Sequence, residues 1–569
     1  MVAPLVQSPV QPRSSMDNKR AADTLSLLGD LIELVEDASF KARAYHGAAR
    51  TLKSLEQPAS DLVEQDTLGT LPGFGKAMVE KVSELFTTGQ IKYLQDLVAT
   101  VPAGVIQMRK ISGLGAKKIR MLYREHQIES LEALSQAAED GSLEALPGFG
   151  AKSVARIADG ISQIRSFEGK LRLPEANLIS NSVCEILAES FGSEHVAVAG
   201  DLRRSMPIVE GLRWVVEGST PSEALMASLG DIPECEGVEF DGSDVLTIRF
   251  SDSVMGSVRF VAAEEFGRAQ LSVTGPETFA TRVIADAGTQ SGSEAELMQR
   301  AGLGIVPPEC RDSESLWAEE SRTNLISDDH LKGVLHCHTN HSDGMASLEE
   351  MAKAAKDRGL EYIGICDHSP SAAYAGGLTP DRVARQHEEI DTLNAAFDDG
   401  FRILKGTESD IRTDGSLDFS DDVLASFDFV VASIHSQLDM DEDAATERIC
   451  RALENPFTTI LGHATARLLL KRRGYPLDWP RVIETAATHG VVIELNANPR
   501  RLEIDWTLLP ALFAAGVMTS INPDAHSTAG IDDMKYGVCV ARKAGTTPDR
   551  VLNCMELSEI VQYFDSRKN

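Results

Sequence analysis

The feature that most constrains the fold is a series of short apolar runs in the C-terminal part of the chain, each followed by residues that bind metals well. These runs alternate with amphipathic segments of helix length, such as 347–358 and 379–397. Regular alternation of strands and helices predicts a parallel β/α barrel, in which the carboxyl ends of the strands share one open face. The seven strand-length runs begin near residues 331, 362, 403, 429, 459, 491 and 518.

The ends of these runs hold a candidate metal site. His336 and His338 are two residues apart where the first run ends, so their imidazoles point to the same side, and Asp343 follows shortly after. A histidine pair alone is more often structural, but further candidate ligands recur at the ends of other runs. They are His368, Glu408, His435, His463, Asp524 and His526. Such a mixture of imidazoles and carboxylates is typical of sites for zinc, manganese or iron.

The order of these motifs is similar to that of the polymerase and histidinol phosphatase (PHP) metallophosphoesterase family. The shared motifs are His336-x-His338, Ser342-Asp343-Gly344, Asp367-His368, Ser433-Ile-His435-Ser436, Gly462-His463 and Asp524-Ala-His526-Ser527. The resemblance runs from about residue 331 to residue 569 and is closest to the form fused to bacterial family X DNA polymerases. It implies a distorted (β/α)7 barrel and three divalent ions, with Mn²⁺, Zn²⁺ and Fe²⁺ as the candidates.

The resemblance also implies how the ligands are shared. Glu408 would bridge two of the ions, and Glu408, Asp524 and His435 are the residues it assigns to catalysis. The three implied ligand groups are His336, His338, Glu408 and Asp524, then Glu408, His435 and His463, and finally Asp343, His368 and His526.

Four further polar residues lie near the predicted open face. Arg467, Lys471 and Arg500 lie just beyond strand ends, where phosphate contact and ordinary surface charge are equally good interpretations. His341 occupies a position that varies in the family, so it is not interpreted as a metal ligand.

A repeat in the first third of the chain predicts DNA binding. Three segments share an apolar-x-Gly-apolar-Gly core that leads into a helix, the pattern of the helix-hairpin-helix motif. The glycines allow a tight turn and leave backbone N–H groups at a helix start, where phosphate binds well. One such turn can merely join two helices, but three copies, each followed by lysine, predict a sequence-independent grip on the DNA backbone. The residues expected to make it are Gly73, Gly75, Lys76, Gly113, Gly115, Lys117, Gly148, Gly150 and Lys152.

The charge distribution agrees with this placement of the DNA contacts. The formal net charge is −31, but residues 1–170 carry only −1, whereas 171–324 and 325–569 carry −15 each. A polyanion should therefore be held mainly by the first third of the chain.

Residues 171–324 resemble the α+β palm and thumb of the fused polymerases, but the residues expected to bind metal there are replaced. Gly211 and Arg213 stand where two aspartates separated by a single residue are expected, and Ser257 stands in place of the third. Nucleotidyl transfer needs carboxylates to hold two Mg²⁺ ions. The sequence therefore predicts that templated synthesis is lost.

The chain is thus expected to be a multidomain cytoplasmic protein. No apolar run is long enough to span a membrane, and the eight scattered cysteines are typical of reduced thiols. The predicted parts are a disordered tail at 1–16, a helical domain with the first hairpin at 17–100, further hairpins at 101–170, the palm and thumb at 171–324, and the barrel at 325–569.

Together these features predict a metal-dependent DNA phosphoesterase. The fused family implies 3′–5′ exonuclease activity in DNA repair, with cleavage at abasic sites as a second activity. The alternatives are a small-molecule phosphatase similar to the histidinol-phosphate branch, a family X polymerase that is still active, and a non-catalytic scaffold. Three DNA-binding turns disfavour the first alternative, and nine intact ligands disfavour the scaffold.

Overall fold

The computed structural model describes residues 18–36, 38–53, 55, 58–111, 113–397 and 400–567, so the predicted tail lies outside the described residues. The chain forms two compact units that divide between Glu168 and Gly169. The other predicted boundaries remain predictions. Within the described ranges, no helix combines the length and apolarity needed to cross a bilayer. All eight cysteines are unpaired.

The first unit is built from helices. In the first of them, Ala21, Leu25, Leu28 and Ile32 recur at spacings of three and four residues and form one buried stripe. This stripe belongs to a continuous core that also includes the apolar residues of the hairpins. The helices are α1 (Asn18–Glu36), α2 (Ser39–Lys53), α3 (Ala59–Glu64), α4 (Lys76–Thr88), α5 (Lys92–Ala99), α6 (Ala103–Met108), α7 (Ala116–His126), α8 (Leu131–Glu139) and α9 (Ala151–Phe167).

The second unit opens with a mixed α/β region. Its elements are β1 (Lys170–Arg172), α10 (Leu173–Phe191), β2 (Val196–Ala199), α11 (Gly200–Arg203), β3 (Ile208–Glu210), β4 (Leu212–Glu217), α12 (Glu223–Gly230), β5 (Cys235–Phe240), β6 (Val245–Phe250), β7 (Met255–Val261), α13 (Ala263–Thr274), α14 (Glu277–Ala287) and α15 (Glu294–Arg300). Five strands form a sheet in the order β2-β4-β7-β6-β5. Only the β4–β7 pair is parallel, so the sheet is mixed, as expected for an α+β palm.

The remainder of the second unit is a β/α barrel. Its elements are β8 (Gly333–Cys337), α16 (Leu348–Asp357), β9 (Tyr362–Ile365), α17 (Pro380–Ala396), β10 (Arg402–Asp410), α18 (Asp421–Leu424), β11 (Phe429–Ser433), α19 (Glu442–Leu453), β12 (Ile460–Leu461), α20 (Trp479–His489), β13 (Val492–Asn496), α21 (Leu509–Ala514), β14 (Thr519–Asn522), α22 (Met534–Lys543) and α23 (Leu557–Arg567). The strands follow chain order from β8 to β14, and every neighbouring pair in this sheet is parallel. A bridge between Cys337 and Ala525 brings the first strand to the end of the last. The prediction of a seven-stranded parallel barrel is confirmed.

The end of the barrel opposite the ligands is filled by apolar side chains. The ring of Phe429 stacks on that of Phe564 in α23, with ring centroids 5.1 Å apart. A Cβ at Gly364 of β9 or Gly406 of β10 would lie 2.5 Å from Cζ of Phe429, so glycine is needed on both of these strands to make room for the ring. The closed lower end leaves only the upper face, at the carboxyl ends of the strands, for polar groups.

A buried lysine joins the α/β region to the barrel within the second unit. Lys543 ends α22 and is fully buried, with its Nζ 2.6 Å from Oδ2 of Asp312. Asp312 also accepts from Nε of Arg204 at 3.1 Å. One carboxylate therefore binds a cation from each region.

Candidate metal centre and DNA-binding hairpins

The barrel brings the nine predicted ligands to its upper face. His336 lies within β8, Glu408 lies within β10, and the others follow the ends of strands or lie in the loops after them. Most of these side chains are buried, whereas those of Asp343 and His526 are 33% and 37% exposed. These two residues therefore mark the side of the cluster that is open to solvent.

One group of donor atoms surrounds Asp524. Its Oδ1 lies 3.2 Å from Nε2 of His338 and 3.8 Å from Nε2 of His336. Oε2 of Glu408 lies 3.5 Å and 3.6 Å from Nε2 of His336 and Nε2 of His338. Ligands of a tetrahedral ion at about 2.1 Å are about 3.4 Å apart, so this spacing suits a metal ion.

The second group uses the other oxygen of Glu408. Its Oε1 lies 2.8 Å from Nε2 of His463 and 3.2 Å from Nε2 of His435. Because Glu408 presents one oxygen to each group, its position is that of a bridging carboxylate.

The third group is more exposed and is centred on Asp343. Its Oδ1 lies 3.4 Å from Nε2 of His368 and also 3.4 Å from Nε2 of His526. Two histidines connect this group to the others. His338 belongs both to this group and to the group around Asp524. His368 connects it to Glu408, because Nδ1 of His368 lies 3.1 Å from Oε2 of Glu408. The resemblance had assigned each of these histidines to one ion, so the division into three separate ligand sets remains a prediction.

Unpaired buried atoms show that the donor set fits divalent cations. Both oxygens of Glu408, both ring nitrogens of His338, Nε2 of His336 and Nδ1 of His368 are buried and form no hydrogen bond. Buried polar atoms are nearly always paired, because an unpaired one loses its hydration without compensation. Imidazole and carboxylate donors that converge in this way are the ligands that Zn²⁺, Mn²⁺ and Fe²⁺ prefer.

Two further carboxylates orient the histidine rings. Nδ1 of His336 lies 2.7 Å from Oε1 of Glu494, and Nδ1 of His435 lies 2.7 Å from Oδ1 of Asp410. Each ring thereby donates through Nδ1 and turns Nε2 toward the ligand cluster. Sequence reasoning missed both carboxylates, although Glu494 lies within a predicted strand and Asp410 follows another by two residues, and these positions were an available signal.

The pKa values of the site reflect dense pairing between imidazoles and carboxylates. Burial lowers the pKa of His435, but the carboxylates of Glu408 and Asp410 outweigh it and raise the pKa to about 10. Burial lowers the pKa of His368 to about 4. Burial also acts to raise the pKa of Glu408, yet the surrounding imidazoles, His435 foremost, hold it well below its usual value. Glu408 is therefore ionised, which is the form that binds a cation.

The three predicted phosphate contacts differ in their surroundings. Arg467 is held inside its loop, because Nε donates to the carbonyl of Arg501, Nη2 donates to that of Leu502, and Nη1 lies 3.2 Å from Asp505. Lys471 and Arg500 are exposed.

An arginine that sequence reasoning did not single out lies closer to the ligands. Nε of Arg501 is 3.4 Å from Oδ2 of Asp524, the carboxylate whose other oxygen faces the histidines. Arg501 therefore fixes the orientation of a candidate ligand.

The three hairpin turns share one backbone conformation. Gly73, Gly113 and Gly148 have φ of +84°, +82° and +84°, a region that favours glycine. The second glycines are the N-cap residues of α4, α7 and α9, and no side chain caps these helices. They are Gly75, Gly115 and Gly150.

The space in front of the turns is open. A Cβ at Gly73, Gly75, Gly115, Gly148 or Gly150 would have no atom within 4 Å. Lys76, Lys117 and Lys152 are exposed, whereas the apolar residue between each pair of glycines is buried. The turns thus present helix N-termini and lysines outward, an arrangement suited to phosphate.

The three residues predicted to stand in place of the palm aspartates lie close together. Arg213 of β4 pairs in register with Ser257 of β7, and Gly211 directly precedes β4. The two strands therefore bring together the three positions at which the resemblance expects metal-binding carboxylates.

Comparison with known proteins agrees with this organisation. Residues 16–91 match a helix-hairpin-helix domain, 105–162 match a SAM-like helix-hairpin-helix tandem, and 334–497 match a PHP domain. The DNA polymerase/3′-5′ exonuclease PolX of Bacillus subtilis (strain 168) is 34% identical over 571 residues, which cover 96% of this chain and 99% of that protein. The chain belongs to the PolX family.

Other relatives match a shorter stretch of this PolX family member. A probable phosphatase of Thermoanaerobacter sp. (strain X514) is 30% identical over 251 residues, covering 42% of this chain and 97% of that protein. A probable phosphatase of Edwardsiella ictaluri (strain 93-146) is 30% identical over 229 residues, covering 38% of this chain and 88% of that protein. These relatives therefore match less than half of this PolX family member, along most of their own length.

Proposed function

We propose that this protein is a metal-dependent DNA phosphodiesterase that removes nucleotides from 3′ ends during DNA repair and also cleaves at abasic sites. The observation that carries the proposal is the convergence of nine imidazole and carboxylate groups, with unpaired buried donor atoms, at the open face of the barrel. The outward-facing hairpin turns of the same chain support it independently, because they suit a DNA backbone rather than a free monoester.

The residues of the site have different roles in the proposed hydrolysis of a phosphodiester. Divalent ions bound there would supply Lewis acidity, which offsets the charge of the phosphate and activates water. Glu408 presents an oxygen to each of two donor groups and so sets their separation. Glu494 and Asp410 hold His336 and His435 in place. Asp343 and His526 lie on the exposed side, where the scissile phosphate arrives.

We also propose that templated synthesis is lost. Gly211 and Ser257 offer no charge to a metal ion, and Arg213 would repel one. Glu210 and Asp244 lie nearby in the chain, but they do not restore the alternating pair of carboxylates.

One experiment tests these proposals together. Purified protein is incubated in Mn²⁺ with a primer–template labelled at the 5′ or the 3′ end of the primer, with and without deoxynucleotides. We expect stepwise shortening of the 5′-labelled primer, immediate release of the 3′ label, and no extension. A duplex with one abasic site should be cut at that site. Glu408→Ala protein prepared in parallel excludes a contaminating nuclease. Extension that persists after contaminating polymerases have been removed would contradict the loss of synthesis.

A small-molecule phosphatase is the second candidate, because the barrel matches proteins named as probable phosphatases along nearly their whole length. Hydrolysis of free phosphomonoesters at a rate far above that of DNA would favour this candidate.

A further inference from the structure

An exposed aromatic ring lies at the mouth of the barrel, beside the candidate metal ligands. The side chain of Tyr374 is 73% exposed, whereas every other aromatic side chain described in the second unit is buried or half-buried. Its hydroxyl group forms no hydrogen bond with a described residue. An uncovered ring of this kind gains free energy when another flat group packs against its face.

The position of the ring relates it to the ligand cluster. Its centroid lies 6.3 Å from that of His368, and the two rings are inclined at 53°. The pKa of Tyr374 is raised well above its usual value, because the mouth partly buries the hydroxyl group and the carboxylates of Glu408 and Asp410 lie near it. The ring is therefore open to solvent and yet lies within the concave mouth, so a ligand that enters the mouth would cover it.

The turn that carries Tyr374 is fixed in place. Ala372 and Ala375 are buried on either side of the ring. Ser371 donates to the buried carboxylate of Asp418 through its backbone N–H at 2.6 Å and through its hydroxyl group at 2.5 Å. Because the backbone is anchored, little conformational entropy is lost when a ligand packs on the ring.

We propose that Tyr374 stacks on a nucleobase next to the scissile phosphate and so makes the site selective for nucleotides over other phosphate esters. The inference rests on the proposed function, in which the ligand cluster binds that phosphate. A base is joined to its phosphate through one sugar, so a ring beside His368 lies within reach of the base. Stacking accepts all four bases, in agreement with hairpins that contact only the DNA backbone. The base belongs either to the nucleotide that is removed or to its neighbour in the strand.

The kinetic test measures removal of the 3′-terminal nucleotide by full-length protein in Mn²⁺. Three 5′-labelled primers are compared, which are a complete primer and two that carry a tetrahydrofuran abasic analogue at the terminal or the penultimate position. Only the product shortened by one nucleotide is counted. Tyr374→Ala should lower kcat/KM for the complete primer about tenfold, mainly through KM, because one stacked base is lost. On the primer that lacks the stacked base, the wild type and Tyr374→Ala should be equal, and the position of the analogue identifies that base.

Two further variants show whether the aromatic ring itself is responsible. Tyr374→Phe keeps the ring and should retain most of the kcat/KM of the wild type. Leu178→Ala removes an exposed apolar side chain from α10 and is the matched control. Circular dichroism and metal analysis establish that each variant is folded and that its ligand cluster is intact. An equal kcat/KM of the wild type and Tyr374→Ala on the complete primer, or an equal loss on all three primers, would overturn the proposal.

A binding measurement separates this inference from the proposed function. Calorimetry in Mn²⁺ compares dAMP with 2-deoxyribose 5-phosphate, which carries the same phosphate group but no base. The wild type should bind dAMP about tenfold more tightly, and Tyr374→Ala should lose most of this difference. A wild type that leaves DNA intact but shows this preference would contradict the proposed function alone. A preference for dAMP that is equal in the wild type and Tyr374→Ala would contradict the role of the ring.

Discussion

At the scale of single residues, the metal centre depends most on Glu408. Its Oε1 faces two imidazoles and its Oε2 faces three others, and the side chain is buried in a place where an unpaired carboxylate would be costly. A terminal ligand such as His526 lies at the exposed edge and serves one group only. These residues should therefore differ sharply in their tolerance of substitution.

Glu408→Ala should reduce nuclease activity by at least about 1000-fold and lower the metal content by more than one ion per chain, because it removes a ligand from two donor groups. His526→Ala should have the smaller effect on both quantities. The barrel should remain folded, since apolar side chains hold its strands. Metal analysis, circular dichroism and the primer assay measure the three properties, with Glu349→Ala at an exposed position of α16 as the matched control. Full metal content and near-normal cleavage in folded Glu408→Ala protein would exclude the bridging role.

At the scale of elements, the same turn is used three times. The buried residue between the glycines anchors each turn, so the lysine and the N-terminus of the helix are always presented outward. Repetition of one backbone contact increases affinity without reading any base.

Changing Lys76, Lys117 and Lys152 to Glu should weaken duplex binding equally for all sequences. The slope of log affinity against log salt should become shallower by about 0.9 for each phosphate that the protein no longer neutralises. Hydrolysis of a small chromogenic phosphoester should stay unchanged, because the barrel is not touched. Lys92→Glu, a charge reversal outside the turns, serves as the control. If binding and small-substrate hydrolysis decline together, the lysines have a structural role instead.

A second element with a measurable property is α15. Its Glu294 accepts from Arg203 through both oxygens at 2.8 Å and 2.6 Å, and from the buried Arg311 at 2.7 Å. Burial acts to raise the pKa of Glu294, but the two arginines outweigh it and lower the pKa from 4.5 to about 2.

Because the pKa of Glu294 is depressed in the folded state, its stabilisation is present above about pH 4.5 and is lost as the pH falls toward 2. Glu294→Gln should lower the free energy of unfolding of the second unit by about 3 kcal/mol at pH 7. The difference between the wild type and the variant should shrink between pH 4.5 and 3. Urea unfolding at several pH values measures it, and a difference independent of pH would contradict the assignment.

At the scale of the whole molecule, much of the architecture could be predicted because it depends on local patterns. Strand-length apolar runs followed by a histidine or a carboxylate predict the barrel and its ligands. Gly-x-Gly turns predict the hairpins. Glu494 and Asp410 were missed because their role depends on which ring the neighbouring strand places beside them. Arg467 shows the same limit, since only the folded loop determines that its guanidinium is used internally.

Lys543 makes another interaction that no local pattern predicts, and it tests how firmly the α/β region and the barrel are joined. Lys543→Ala should lower the free energy of unfolding of the second unit by about 3 to 5 kcal/mol, because it leaves a cavity and removes one cation from a buried carboxylate. Lys543→Met, which keeps most of the volume, should recover part of the stability. Denaturant unfolding followed by tryptophan fluorescence measures both, with the exposed Lys535→Ala as the control. An unchanged midpoint in Lys543→Ala would show that this ion pair does not join the two regions.

The stacked rings of Phe429 and Phe564 have a consequence for turnover. Together with the apolar side chains around them they close the base of the barrel among the described residues, so a strand end would enter and a cleaved nucleotide would leave through the mouth. On the proposed function, each nucleotide must therefore escape past the strand from which it was cut, or wait until that strand withdraws. Removal of successive nucleotides should then be distributive, and free nucleotide should compete with the DNA end for the entrance.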